Sequence, residues 1–262
     1  MDSYIVLLFT IILGAALGYF NRFLTISGSL AAGGVGLLTV LGLHMKGLFL
    51  LGVFFATSSL WSKYKRVQKS KVEERHAKGS RRDWQQVVAN GGSAAAACFL
   101  YFLHPDPVWI FGFCILIASS NSDTWASEIG TLSLKSPISI RTLKVVEKGT
   151  SGAISLLGTL AGMAGSLLIA LLAYCLFPMS YSTALLIFIF GLLGNIIDTM
   201  MGAYIQAVYR CKKCGLETEK ITHCNQRTEK TRGFTILNND VVNFLSSLIA
   251  AILGIMLYSY LK

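Results

Sequence analysis

Charged residues are scarce in this sequence. Asp, Glu, Lys and Arg make up 14% of its 262 residues, whereas hydrophobic residues make up 53% and the mean hydropathy is +0.59. A soluble globular domain has about 25% charged residues. The composition therefore excludes an ordinary soluble domain and predicts a polytopic membrane protein, all-α and folded as a transmembrane helical bundle.

The motifs of several other function classes are also missing. The net charge is +10, but no base-stacking or groove-reading module accompanies it, so we expect no nucleic-acid partner. The GxxxxGK[ST] spacing of a Walker motif is absent. No convincing internal repeat indicates an inverted-repeat transporter, and no cleavable signal peptide is evident.

Apolar segments near the ~20 residues that cross a bilayer divide the chain. We predict eight spans within a single integral-membrane domain, residues 1–262. The second and third are glycine-rich enough to form a re-entrant pair instead, which gives a range of seven to nine. The predicted spans are 3–20, 26–43, 47–61, 86–103, 108–131, 152–177, 183–208 and 237–261.

Basic residues are concentrated in alternate connecting segments. Of the 23 Lys and Arg residues, 21 follow spans one, three, five and seven, and only Lys46 and Lys262 remain for the other side. The positive-inside rule places the four basic segments in the cytoplasm and both termini on the non-cytoplasmic side. The two notable cytoplasmic segments are a basic loop at 62–85 and a Cys-containing loop at 209–235.

Carboxylates and amides interrupt the apolar spans, where an acid costs several kcal/mol. The predicted topology places them all at one depth, near the cytoplasmic surface, where one polar cavity would hold them. The alternative is that they only form interhelical hydrogen bonds that hold the bundle together. These residues are Asn90, Asp123, Glu128, Asn195, Asp198, Asn239, Asp240 and Asn243.

Oxygen ligands of this kind suit Mg²⁺, which proteins usually bind jointly with substrate phosphates. We expect Asp123, Asp198 and Asp240 to bind Mg²⁺, with Glu128 as a further candidate. A bound cation would also resolve the repulsion between an acidic cavity and a phosphate. Imidazole-preferring metals are not expected in this cavity, because all four histidines fall in loops or at span ends: His44, His76, His104 and His223.

A second candidate element, the segment EKGTSG at 147–152, directly precedes the sixth span. Lys148 supplies positive charge, Gly149 and Gly152 allow close backbone approach, and Thr150 or Ser151 can cap the helix. Exposed amides at a helix start attract anions, so the segment is a candidate phosphate cradle. The alternative is an ordinary helix start.

The cysteines indicate two environments. Cys98, Cys114 and Cys175 lie in apolar spans and resemble small hydrophobic residues. In a reducing compartment, thiols close to a histidine favour metal binding over a disulfide, so the last cytoplasmic loop holds a candidate structural zinc site. The alternative is free thiols. The four candidate ligands are Cys211, Cys214, His223 and Cys224.

Six ordered strings carry a family resemblance: SLAAGGVG, NGGSAAAA, NSDTWASEIG, EKGTSGAISLLGTLAG, GNIIDTMMGA and LNNDVVNF. They resemble the integral-membrane family that contains plant phytyl-phosphate kinase and many uncharacterised bacterial, archaeal and animal relatives. That family is distantly similar to phytol kinase, dolichol kinase and the CDP-lipid synthases. Those enzymes pair an Asp followed by small residues and a Gly, matched here by 123–130, with a Lys-Ser-x-x-Gly-Ser-like element, loosely matched by 148–152.

The resemblance implies a kinase that uses Mg²⁺ and CTP, or another nucleoside triphosphate, to convert an isoprenyl monophosphate or related lipid phosphate into the diphosphate. Lys148 and the amides of 149–151 would hold nucleotide phosphates. Small residues of spans two and six would leave a groove for the prenyl chain. Phosphate oxygens or water would be oriented by the amides Asn90, Asn195, Asn239 and Asn243.

Two alternatives to the kinase stay open. One is a transporter or flippase for an anionic lipid or metabolite, which would use the buried acids for cation or proton coupling. The other is a nucleotidyltransferase that forms a CDP-lipid. In each case we expect an integral protein among membrane lipids, in the plasma membrane of a prokaryote.

Overall fold

The computed structural model describes residues 2–261, except for the side chains of Asp2, Ser3 and Lys71. Lys71 and Lys262 of the charge pattern therefore lie outside the described side chains. The chain is mostly helical, as predicted. The helices are α1 (Asp2–Phe20), α2 (Ile26–Lys63), α3 (Arg66–Glu73), α4 (Trp84–Leu103), α5 (Pro107–Gly130), α6 (Leu156–Leu176), α7 (Tyr181–Tyr204) and α8 (Asn239–Leu261).

Short strands occur in the connecting segments, so the all-α prediction is wrong there. One antiparallel pair precedes α6, and a three-stranded sheet of order β4-β3-β7 with a separate hairpin, β5-β6, lies between α7 and α8. The strands are β1 (Ile138–Ser139), β2 (Ala153–Ile154), β3 (Val208–Arg210), β4 (Glu217–Thr218), β5 (Thr222–His223), β6 (Gln226–Arg227) and β7 (Glu229–Arg232). The predicted loop 62–85 contains the short helix α3.

Five of the described helices are long and apolar enough to cross a membrane, namely α2, α4, α6, α7 and α8. α1 contributes a shorter apolar stretch, Tyr4–Phe20, and α5 carries the polar residues of the site. These helices confirm the membrane class. The number of crossings stays a prediction.

α2 reverses direction within its 38 residues. A straight helix of this length would measure ~57 Å, about twice the hydrocarbon thickness of a bilayer. His44 interrupts it with φ 49° and ψ −141°. Lys63, the last residue of α2, donates to the carbonyl of Asn21, which lies just before the helix starts, so the two halves return to the same end of the bundle. Each half is ~27–28 Å long, which favours two full spans over a re-entrant pair.

α5 is the central helix of the bundle, and every residue from Phe111 to Ser122 is buried. It packs against α4, α6, α7 and α8. Glycines bring the neighbouring helices close. A Cβ on Gly162 of α6 would lie 3.2 Å from the Ser122 hydroxyl, and one on Gly194 of α7 would lie 1.9 Å from the Ser119 hydroxyl. Small residues thus set the spacing of these helices.

The four basic segments meet at one end of the bundle. Leu24 forms a bridge with Arg82, and Lys78 forms an ion pair with Asp240 at 2.6 Å. Arg75, in the second basic segment, connects to the third and fourth segments. It forms an ion pair with Glu147 and donates a hydrogen bond to the Glu217 carbonyl. We call this layer, residues 21–25, 64–83, 131–155 and 205–238, the polar cap. The side of the membrane on which it lies stays a prediction.

Topology can be tested with two introduced thiols in a background in which serine replaces the three exposed cysteines, Cys175, Cys214 and Cys224. Val67 on α3 is 88% exposed, and His104 is exposed at the opposite end. We expect a membrane-impermeant maleimide to label His104→Cys in intact cells and Val67→Cys only after permeabilisation. The unmodified background provides the control. Labelling of Val67→Cys alone in intact cells would reverse the assigned topology.

Candidate functional site

Two cavities lie beneath the polar cap, with volumes of about 230 Å³ and 380 Å³. The first is bordered by α3, α4, α5 and α8, and the second by α5, α6, α7 and the segment 148–155. They share one wall, which is formed by helix residues and by three residues of the polar cap. Its members are His76, Asp123, Ser127, Thr131, Asp198, Glu219 and Asn239.

Asp123 and Asp198 are the two carboxylates of this wall that have no basic partner. Asp198 accepts a hydrogen bond from Ser246 at 3.1 Å and one from the Asn243 amide at 3.0 Å, in the amide orientation that satisfies both of its atoms. Asp123 has no hydrogen-bond or ion-pair partner among the described residues. Its half-buried carboxylate faces both cavities. The two acids thus offer free oxygen atoms to a hard cation.

Glu128 and Asp240, in contrast, are paired with lysines in the first cavity. Glu128 binds the buried Lys69 at 2.7 Å through one oxygen and accepts from Ser62 at 2.6 Å through the other. Asp240 binds Lys78 at 2.6 Å. Asp240 would have to release Lys78 to bind Mg²⁺. Of the four candidate carboxylate ligands, two are therefore bound to lysines and two, Asp123 and Asp198, are not.

The four predicted amides all line the cavities, but they differ in how free they are. Asn90 donates to the Gln86 carbonyl within its own helix at 2.9 Å. Asn243 holds Asp198 and the Asn239 carbonyl. Asn195 lies beside Asp198 on the second cavity, packed against Gly162. Asn239 touches both cavities, and its side chain has no partner among the described residues.

The segment 147–152 lines the second cavity as a loop, so the predicted helix start is wrong. α6 begins at Leu156, and its cap is Ser155, not Thr150 or Ser151. The loop depends on two glycines in the left-handed region, Gly149 at φ +82° and Gly152 at φ +75°. The Lys148 side chain has no ion-pair or hydrogen-bond partner in the part of the chain that the structure describes. The predicted phosphate cradle would therefore consist of loop backbone and Lys148.

Gly152 fits where no other residue would. A Cβ at this position would lie 2.3 Å from the Cα of Ala203, at the end of α7. Because that contact is with backbone, it cannot be relieved by moving a side chain. The loop is therefore seated directly on the helix that carries Asp198.

His76 and Glu219 are site residues that the sequence analysis missed. Their side chains lie 3.6 Å apart, and Glu219 also accepts from Gln206 at 2.8 Å and from Ser151 at 3.3 Å. Burial alone would raise the pKa of Glu219, but His76 lowers it overall. Burial alone would lower the pKa of His76, but Glu219 raises it overall. Both residues lie in loops, where no hydrophobic periodicity could have indicated their position.

A third, apolar cavity of about 200 Å³ lies between α1, α2 and α4. Ala32, Val35 and Gly36 of α2 line it, whereas Gly158 and Thr159 of α6 line the second cavity. The prenyl groove between spans two and six stays a prediction. The third cavity shares Arg82, Gln86 and Asn90 with the first. The apolar third cavity therefore adjoins the polar first cavity at the guanidinium group of Arg82.

The predicted zinc ligands also come together. The ligand atoms of Cys211, Cys214, His223 and Cys224 lie within 4.8 Å of one another in the polar cap. This cluster is separate from the three cavities, whose linings contain none of its residues.

Comparison with known proteins identifies relatives over nearly the whole chain. A family model described as integral membrane protein DUF92 matches residues 9–251. Protein PGR of Arabidopsis thaliana is 32% identical over 251 residues, which cover 85% of this chain and 86% of the plant protein. An uncharacterised membrane protein of Methanocaldococcus jannaschii is 31% identical over 239 residues, or 91% and 87% of the two chains.

A further relative in Arabidopsis thaliana is Protein VTE6, chloroplastic. It is 28% identical over 246 residues, which cover 91% of this chain and 66% of that protein. No solved structure matches this chain. The relatives span plants and archaea, so the plasma membrane of a prokaryote stays a prediction.

Proposed function

This chain belongs to the DUF92 family of integral membrane proteins, and we propose that it is a phosphotransferase embedded in the membrane. The proposed reaction is transfer of the γ-phosphoryl group of CTP, or another nucleoside triphosphate, to an isoprenyl monophosphate. The observation that carries the proposal is the wall of Asp123 and Asp198. It separates a cavity lined by a lysine-bearing loop from a cavity that adjoins an apolar space.

The second cavity is the proposed donor site. Lys148 and the backbone of Gly149 and Ser151 line it, and Lys148 is free to bind an anion. Phosphoryl transfer requires chiefly alignment and charge neutralisation. Asp123 and Asp198 fit Mg²⁺ because they offer carboxylate oxygens without a competing cation, and the ion would supply charge neutralisation for the phosphates. The larger volume of this cavity suits a nucleotide.

The first and third cavities together form the proposed acceptor site. Arg82 stands where they meet, and no carboxylate lies within 4 Å of its guanidinium group among the described residues. Its guanidinium instead lies over the rings of Phe54 and Phe55, at 5.9 Å and 5.8 Å. A lipid phosphate could thus place its headgroup at Arg82 in the first cavity and part of its chain among the α1, α2 and α4 side chains.

In the proposed arrangement the acceptor phosphate would lie beside the shared wall, opposite the donor. An oxygen of a phosphate monoester already carries negative charge near neutral pH, so no protein base is needed to activate it. The family resemblance supports the same reaction class, because the motifs that resemble phytyl-phosphate kinase supply the acidic wall and the loop. Asn239, which touches both cavities, is placed to orient oxygens of either phosphate.

The reaction class can be tested by following the label. Purified protein would be incubated with phytyl or farnesyl monophosphate, Mg²⁺ and CTP labelled at the γ- or the α-phosphate, with ATP, GTP and UTP in parallel. We expect γ-label in a lipid diphosphate. Transfer of α-label would instead show a nucleotidyltransferase, and no transfer with any nucleotide would contradict the enzyme proposal and favour transport.

The acidic wall can be tested by removing one charge at a time. We expect Asp123→Asn and Asp198→Asn each to lower kcat by roughly 100-fold or more, because each loses charge needed to hold the metal and neutralise phosphate. The matched control is Asp106→Asn, which lies at the opposite end of the bundle and retains a capping residue. Wild-type rates in either wall variant would contradict the metal role. A variant that no longer elutes as a folded, monodisperse protein would indicate a structural role instead.

The two phosphate sites can be separated by their cations. Lys148→Ala removes a charge-assisted contact typically worth about 1.5–3 kcal/mol, so we expect the KM for nucleotide to rise roughly 10- to 100-fold. Arg82→Ala should raise the KM for the lipid phosphate by a similar factor and leave that for nucleotide nearly unchanged. The exposed Lys144, which does not line the cavities, provides the control variant Lys144→Ala. Exchange of the two effects would reverse the assignment of donor and acceptor.

A further inference from the structure

A compact group of sulfur and imidazole ligands lies in the polar cap. The Sγ atoms of Cys214 and Cys224 lie 3.5 Å and 3.3 Å from the Nδ1 atom of His223. With Cys211, all four ligand atoms fall within 4.8 Å of one another. Tetrahedral Zn²⁺ with Zn–S near 2.3 Å and Zn–N near 2.0–2.1 Å separates its ligands by ~3.5–3.8 Å. The two sulfur–nitrogen distances are thus close to those in a tetrahedral site, and Cys211 lies near enough to be the fourth ligand.

The first two cysteines are presented by a tight turn. Cys211 directly follows β3, its N–H donates to the Leu216 carbonyl, and the Gly215 N–H donates to the Cys211 carbonyl, each at 2.9 Å. Gly215 is in the left-handed region at φ +75°, which closes the turn. The turn therefore brings Cys211 and Cys214 close together.

The second two ligands come from the hairpin β5-β6. Its two turn residues, Cys224 and Asn225, have φ values of 50° and 59°, as the central residues of a type I′ turn do. Although His223 and Cys224 are adjacent in the chain, this turn directs both side chains to one point, with the Cys224 thiol 3.3 Å from the His223 Nδ1. Both residues can therefore bind one ion. Each strand of the hairpin has only two residues, too few to be stable alone.

The remaining nitrogen of His223 has the partner typical of a metal ligand. Its Nε2 lies 3.2 Å from a carboxylate oxygen of Glu74, while its Nδ1 faces the thiols. A metal-bound histidine almost always donates its other ring N–H to a carboxylate, carbonyl or water, which fixes the orientation of the ring. Glu74 directly follows α3, so this contact also joins the hairpin to another segment of the cap.

We propose that Cys211, Cys214, His223 and Cys224 bind one structural Zn²⁺. Three thiolates and one imidazole in a closed tetrahedron suit zinc better than a hard cation. The site is distinct from the proposed Mg²⁺ wall, and its existence does not rest on the kinase proposal. All six cysteines are free in the structure, so no disulfide competes for these thiols.

The ion would fasten the part of the cap that carries Glu219. The Thr218 hydroxyl and the Glu219 N–H both donate to the Arg75 carbonyl, at 2.7 Å and 2.8 Å. The Ala77 N–H donates to the Glu219 carboxylate at 3.2 Å. The segment 74–77 therefore contacts the proposed zinc ligand His223 through Glu74. Through Arg75 and Ala77 it binds Thr218 and Glu219. Zinc would hold His76 and Glu219 over the cavities as positioning residues.

Metal content provides the direct test. The full chain would be purified in detergent from zinc-supplemented cells, and its metals measured by mass spectrometry. We expect about one zinc per chain in the wild type and in Cys175→Ser, which changes an exposed thiol outside the cluster. Cys214→Ser and Cys224→Ser should each contain less than a tenth of that amount. A metal-free wild type, another metal at one equivalent, or full zinc in both variants would overturn the proposal.

A second measurement on the wild type avoids variants that fail to fold. Titration with a mercurial that reacts with thiols should release one zinc per chain, detected with a metallochromic dye, as the cluster thiols react. Glu74→Gln should retain zinc but lose it to a competing chelator at roughly 10- to 100-fold lower chelator concentration, because it weakens the partner of His223. No zinc release from the wild type would contradict the site, and unchanged chelator competition in Glu74→Gln would contradict the role of Glu74 as the partner of His223.

Discussion

The central constraint in this protein is the pair of carboxylates, Asp123 and Asp198, that line one wall without a basic partner. Acids at this depth are costly unless a cation, a proton or polar groups compensate them. Close packing of α5 with α6 and α7 holds these acids in place, because the glycines at 162 and 194 let the helices approach each other. Ser246 and Asn243 then hold only Asp198, which leaves the oxygens of Asp123 free.

The polar cap converts this wall into two separate cavities. The loop at 147–152 seals one side because Gly152 rests on the backbone of Ala203, and α3 with its following segment closes the other through Lys69 and Lys78. The proposed transfer from a polar donor to a lipid acceptor would require different surroundings on the two sides of this charged wall. The second cavity, with its lysine-bearing loop, and the first, with its apolar extension, provide that difference.

The sequence predicted the helical segments to within a few residues, because apolar runs of membrane length have few alternative structures. It also predicted that the acids and amides lie together at one end of the bundle, but it placed them in one cavity, whereas the structure divides them between two. It was wrong about the start of α6 and the short strands, because turn and strand residues in the basic segments form no periodic pattern. His76 and Glu219 were missed for the same reason, since loop contacts such as theirs are decided by folding of the whole cap.

The amino-acid sequence by itself determined the membrane class, the family, and the clustering of the basic segments and polar residues at one end of the bundle, because each follows from hydrophobicity and order along the chain. Tertiary structure alone decided which acids are free. Glu128 and Asp240 resemble Asp123 and Asp198 in sequence, yet Lys69 and Lys78 neutralise the first two. Those lysines are 59 and 162 residues away from their partners, and pairing over such separations depends on how the cap folds onto the bundle.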